Sequence, residues 1–163
     1  MKMRSGSVAF AVAGATLILC WLLFVLFYHN PASQALFAVG NVVAGAGVLL
    51  IVLAMRTLRK QGQPEPDRDF TATTQVVKRG LYAIVRHPLY LGWLLAYPAA
   101  MLVSQHWSVV VLGAVGMASI VTITRQADRD LVAKFGPEYE RYVEQVPGLN
   151  ILLGIVRRIS RQR

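Results

Sequence analysis

The chain is short of charge and nearly free of cysteine. Only 15% of its 163 residues are Asp, Glu, Lys or Arg, against roughly a quarter in an ordinary water-soluble domain. Acids are the scarcer sign: 8 stand against 17 Lys and Arg, for a formal net charge of +9. One cysteine, Cys20, excludes an intramolecular disulfide and any cysteine-based metal site. Its place in an apolar run marks it as a packed or lipid-facing small hydrophobe. No His, Cys, Asp or Glu spacing suggests a metal site, and no internal repeat is convincing. The positive excess forms no single patch. It flanks apolar runs, the distribution of juxtamembrane charge, which argues against nucleic acid as a partner.

What the chain does have is hydrophobic residues, 55% of the total, with a mean hydropathy of +0.49. They fall in runs without charge, and a spanning helix needs about 20 such residues. The runs predict an all-α integral membrane protein with about four transmembrane helices, at 8–28, 35–55, 89–103 and 107–124. The first ends in bulky residues with no small-residue cleavage site after it, so it is expected to be a retained helix and not a signal peptide. Tyr28 and His29 suit the membrane interface. Residues 29–34 and 104–106 are short uncharged turns. Gly40, Gly45, Gly47, Gly113 and Gly116 would admit close helix approach, and Asn41 is expected to make an inter-helix hydrogen bond. The third run is short and broken by Pro98.

Two segments are polar. The connection 56–88 holds Pro64 and Pro66, which prevent a continuous helix, and its 70–77 stretch alternates as an extended segment would. The tail 125–163 begins as a helix continuing out of the membrane. It stops and restarts at Gly136-Pro137, turns at Pro147-Gly148, and ends in a basic apolar segment of the interfacial kind. Every charged residue lies in the N-terminus, the connection or the tail. The positive-inside rule then predicts that both termini, the connection and the active site are cytoplasmic. We expect a single domain over 1–163.

The densest chemistry lies at 80–92, where the polar connection meets the third apolar run. Arg86 is permanently charged and carries a planar fork of donors. His87 donates or accepts, Tyr82 and Tyr90 offer hydroxyls and ring faces, and Pro88 fixes the chain after His87. Polar groups at a lipid boundary are costly to keep, and this set suits a ligand with a flat ring, hydroxyls and a charged end. The tail adds Arg125, Asp128, Asp130 and Tyr139, whose acids could take a ribose hydroxyl or an ammonium group. A structural alternative stands beside this: Arg86 pairs with Asp128 or lipid headgroups, and the tyrosines form an interfacial belt.

Gly80-x-Tyr82-x-x-x-Arg86-His87-Pro88-x-Tyr90-x-Gly92 resembles the signature of the isoprenylcysteine carboxyl methyltransferase family and the related phospholipid methyltransferases. A second block, Phe135-Gly136-x-x-Tyr139-x-x-Tyr142-x-x-x-Val146-Pro147, is similar to that family's C-terminal motif, and the likeness continues through Gly148-Leu149 to Gly154-Ile155. The resemblance implies a membrane methyltransferase using S-adenosyl-L-methionine. It implies cofactor contacts from Thr74, Gln75, Val76, Val77, Tyr82, His87, Pro88, Leu89, Tyr90 and Asp128, catalytic roles for Arg86 and His87, and substrate binding by Arg125. The acceptor it implies is the carboxylate of a lipophilic, isoprenylcysteine-like molecule reached from the membrane lipids. Phospholipid N-methylation and S-methylation of a small thiol are the alternatives, and a non-catalytic membrane binding module is the alternative of another class. The family's acidic pair is Glu-Glu where this chain has Ala127-Asp128, so one acid of the pair is missing and the other is a methylene shorter.

Overall fold

The computed structural model describes residues 5–27, 31–63 and 73–160. The expected interfacial placement of Tyr28 and His29, the proline turn at 64–67 and the first residues of the extended 70–77 stretch lie outside the described residues. Among the described residues there are six α-helices, α1 (Ser5–Phe27), α2 (Gln34–Gln61), α3 (Pro88–Ser104), α4 (Trp107–Phe135), α5 (Pro137–Gln145) and α6 (Ile151–Ser160), with one 3-10 turn at Gly80–Ala83. Helices α1, α2 and α4 are each long and apolar enough to cross a membrane, and α3 is a shorter apolar helix of 17 residues. The protein is thus an all-helical integral membrane protein. At 28 and 29 residues, α2 and α4 are each about 42 Å long, which exceeds the ~30 Å hydrocarbon layer. The surplus is their charged C-terminal part, from Arg56 in α2 and Arg125 in α4.

The chain divides into two compact units, one made of Met1–Leu49 and Gly92–Gln126, the other of Leu50–Leu91 and Ala127–Arg163. The first holds the uncharged runs. Its helices meet through small residues, as packing in lipid favours. A Cβ on Gly116 would fall 2.1 Å from Cε1 of Tyr97, and one on Gly40 2.8 Å from Val103. Tyr97 is fully buried, and its hydroxyl donates to the Ala13 carbonyl at 2.8 Å. Cys20 is buried rather than lipid-facing. Thr16, Ser104, Ser119, Thr122 and Thr124 return their hydroxyls to carbonyls of their own helices, which satisfies them where water is scarce. Asn41 does the same, donating to Phe37 at 2.8 Å within α2, so the inter-helix bond expected of it is not the one the fold uses. The turn residues Ser33 and Gln105 join through a pair of hydrogen bonds of 2.7 and 2.8 Å.

Among the described residues of the second unit are two small apolar clusters. Ala54, Val77 and Tyr82 pack with Leu58 and Leu89. Tyr139, Tyr142 and Val146 pack with Val76, Leu131, Val132, Phe135 and Val143. Between α4 and α5 the chain turns at Gly136, whose φ of +56° is left-handed and suits glycine. Pro137 then opens α5, where its missing N–H costs nothing. After α5, the N–H groups of Arg86 and His87 donate to the carbonyls of Pro147 (2.9 Å) and Gly148 (3.1 Å). These bonds fix the Pro147-Gly148 turn against the Arg-His-Pro segment.

Candidate functional site

Pro88 opens α3 and is fully buried, so the chain entering it is rigid at Arg86 and His87. The Arg86 guanidinium is held on two sides. Its Nη2 donates to Asp128 Oδ2 at 2.8 Å and its Nε to Oδ1 at 3.3 Å, a two-point grip on the carboxylate. Its Nη1 donates to the carbonyls of Val143 (2.9 Å) and Val146 at the end of α5. A helix end leaves its last carbonyls without intrahelical donors, and Arg86 supplies them here.

Asp128 lies three residues beyond Arg125 on the charged extension of α4. Besides Arg86, its Oδ1 receives the Tyr139 hydroxyl at 2.8 Å and lies 2.8 Å from His87 Nε2. Burial alone would raise its pKa, but the hydrogen bonds from His87, Arg86 and Tyr139 outweigh it and hold the carboxyl well below its usual range. Tyr139 shifts the other way: burial first, then its bond to Asp128, keep its phenol neutral far above the normal tyrosine range. Tyr142, raised chiefly by burial, donates to the Tyr82 carbonyl. Tyr82 is raised by burial and by Tyr90. One carboxylate thus gathers an arginine and a histidine from one segment and a tyrosine from another.

Beside this cluster is a hollow of about 60 Å³ lined by Leu58, Thr73, Gln75, Val76, Val77, Tyr82, Arg86, Leu131, Phe135, Tyr139 and Tyr142. Four of the expected cofactor residues, Gln75, Val76, Val77 and Tyr82, are in this wall together with Arg86. The others are placed differently. Thr74 is exposed and spends its hydroxyl on the Gln63 carbonyl at 2.8 Å; its neighbour Thr73 is the one that lines the hollow. His87 is buried against Asp128, Leu89 packs on the Ala54 cluster, and the half-buried Tyr90 has its ring 5.8 Å from that of His87. Arg125 belongs to the other unit, where its side chain is exposed.

Leu58, Leu131, Phe135 and Tyr142 were not singled out for this wall. The i, i+4 spacing of Leu131 and Phe135 and the i, i+3 spacing of Tyr139 and Tyr142 each mark one helix face, but say nothing of what that face encloses. The lining, aliphatic and aromatic walls with a few polar groups, fits a planar heteroaromatic ring. The volume does not fit a whole nucleoside: it holds about four waters, whereas small-molecule sites usually run from about 300 Å³. Among the described residues no group of His, Cys, Asp and Glu could hold a metal ion.

Comparison with known proteins adds a family. The family model for phospholipid methyltransferase matches residues 35–135. Over 69 residues the chain is 41% identical to methanethiol S-methyltransferase 2 of Bradyrhizobium diazoefficiens, an alignment covering 42% of this chain and 26% of that protein. Over 74 residues it is 36% identical to the methanethiol S-methyltransferase of Crocosphaera subtropica, covering 45% of this chain and 28% of that protein. The matched stretch is thus about a quarter of the length of these curated relatives. No solved structure matches the chain.

Proposed function

This chain belongs to the phospholipid methyltransferase family, and on that premise we propose that it is a membrane methyltransferase that uses S-adenosyl-L-methionine and methylates the sulfur of a small thiol. The observation that carries the choice of acceptor is the likeness to two methanethiol S-methyltransferases; the polar groups around Asp128 bear on which acceptors the site suits. The cofactor's sulfonium methyl is already activated, so its transfer needs alignment more than proton movement. A carboxylate arrives ionised and a thiol must arrive as its thiolate, its proton left in water, whereas an amine carries a proton that a base in the site would have to take. His87 Nε2 is engaged with Asp128, and the phenols of Tyr82, Tyr139 and Tyr142 are all held in their neutral form. The neutral phenols offer no base for an amine's proton, so an acceptor that arrives already ionised, a thiolate or a carboxylate, suits the site better than the ammonium of a phospholipid. Between those two, the names of the methanethiol relatives favour the thiolate.

In this reading Gln75, Val76, Val77 and Tyr82 form the wall against which the cofactor's ring lies. Arg86, His87 and Asp128 position that wall by tying it to α5. The cytoplasmic side, where the cations gather, supplies the soluble cofactor. A second reading, methylation of an isoprenylcysteine-like carboxylate, is favoured by the Gly148-Leu149 to Gly154-Ile155 tail and likewise needs no base.

The test is a labelled-methyl assay on the full chain in lipid nanodiscs, offering methanethiol, S-farnesylcysteine and phosphatidylethanolamine in separate reactions. Label in dimethyl sulfide is expected. Label confined to farnesylcysteine establishes the second reading, and label confined to phosphatidylethanolamine overturns both. Failure to bind S-adenosyl-L-methionine even at millimolar concentration removes the enzyme and leaves a binding module.

A further inference from the structure

Helix α6 is turned the wrong way round for a segment bathed in water. A helix on a water-facing domain buries its apolar stripe and exposes its polar one. In α6 the buried position is Gly154, which lies so close to the 3-10 turn that a Cβ there would fall 1.9 Å from the Ile84 carbonyl oxygen. Arg157 and Arg158 flank this contact, and Arg157 Nη1 donates to the Glu144 carbonyl at 3.4 Å. The opposite stripe is Leu152, Ile155, Val156 and Ile159, spaced i, i+3, i+4, i+7. Its members are 74%, 41%, 60% and 52% exposed. Asn150 caps the helix, its side-chain oxygen accepting the Leu153 N–H at 2.9 Å, so α6 is a defined helix and not a frayed end. Its 10 residues make about 15 Å of helix, half of what a span needs.

We propose that α6 is an in-plane anchor whose outward apolar stripe lies in the surface of a bilayer rich in anionic lipid. The charge argues for that occupant. No acid occurs after Glu144, while Arg157, Arg158, Arg161 and Arg163 follow within twenty residues. A short helix with an apolar face and arginines beside it binds at the headgroup boundary, and cations near the surface favour anionic lipid. The anchor is also tied to the site. Gly154 rests on Ile84, and the Pro147-Gly148 turn leading into α6 accepts the N–H groups of Arg86 and His87.

The experiment is amide hydrogen exchange over 151–160, on the full chain reconstituted in vesicles of phosphatidylcholine alone or mixed with phosphatidylglycerol. Wild-type α6 is expected to exchange about thirtyfold more slowly in the anionic vesicles, as two arginines near the surface imply. The double variant Arg157→Gln/Arg158→Gln is expected to lose that difference, and Arg157→Lys/Arg158→Lys to keep it. Equal exchange of the wild type in both lipids overturns the proposal. So does protection that follows the protein-to-lipid ratio in place of lipid charge, because a second copy of the chain then covers the stripe. The readout is the helix itself and not methyl transfer, so its failure leaves the assignment of the reaction untouched.

Discussion

At the scale of single residues the site turns on one carboxylate. Asp128 receives bonds from Arg86 and Tyr139 and lies against His87, so its removal leaves a guanidinium that is nearly buried without its counter-charge. Losing one partner of such a pair costs about 3–5 kcal/mol. Asp128→Ala is therefore expected to lower the thermal midpoint of the purified protein markedly, in the absence of any cofactor. If stability is unchanged and only S-adenosyl-L-methionine affinity falls, Asp128 is a ligand and not a tie. Arg86→Lys tests the same knot from the other side. A lysine is a point charge without the planar fork, so it can keep Asp128 or the α5 carbonyls but not both. The double-mutant cycle of Arg86→Lys with Val146→Ala leaves the carbonyl in place and so should show little coupling, whereas the cycle with Asp128→Asn should show coupling of about 1–3 kcal/mol. The residue types at 86–88 announced a special site from the sequence because Arg, His and Pro together at a lipid boundary are costly. Their partner was legible only as one of two, Asp128 or lipid headgroups, because Asp128 lies 42 residues from Arg86 and no spacing rule connects them.

At the scale of elements, charge marked where the apolar runs end but not where the helices end. The expected span at 35–55 stops at the first arginine, yet α2 runs to Gln61, whereas the continuation of α4 beyond 124 to a stop at Gly136-Pro137 was legible and the helix ends at Phe135. The backbone hydrogen bonds that continue a helix are indifferent to whether its side chains face lipid or water. The Gly80–Ala83 turn was not legible, because a single 3-10 turn has no periodic pattern to read. The packing of α6 on that turn yields a direct test. The Cβ of Gly154→Ala would meet the carbonyl oxygen and carbon of Ile84, at 1.9 and 2.8 Å, and backbone cannot step aside as a side chain can. The substitution is expected to cost about 1–3 kcal/mol through the shift it forces, and to speed amide exchange in both α6 and the 84–87 segment. Gly45→Ala is the control. Nothing lies within 4 Å of its Cβ, and alanine is the better helix former by up to about 1 kcal/mol, so it should leave stability unchanged or raised.

At the scale of the whole molecule the buried ionisable groups set a pH range for the fold. Asp128 has its pKa depressed in the folded state, so the stability it contributes is present above its unfolded value of 3.8 and is lost as pH falls through the lower folded one. Tyr82, Tyr139 and Tyr142 are raised, each first by burial, from an ordinary value of 10.0. For them the sign reverses. Above pH 10 the unfolded chain releases phenolic protons that the folded chain retains, so stability is full below that point and declines as pH rises beyond it. Three phenols act together in one unit, whereas the acid limb rests chiefly on one carboxylate, so the alkaline limb should be the steeper. Following phenolate absorbance and helix content together during an alkaline titration checks this. The three buried tyrosines are expected to ionise only as helix content is lost, in a single joint transition well above pH 10. Their smooth ionisation near pH 10 with helices intact would mean that the phenols are open to solvent and able to exchange protons with an acceptor, and the argument from neutral phenols against a phospholipid amine would be gone.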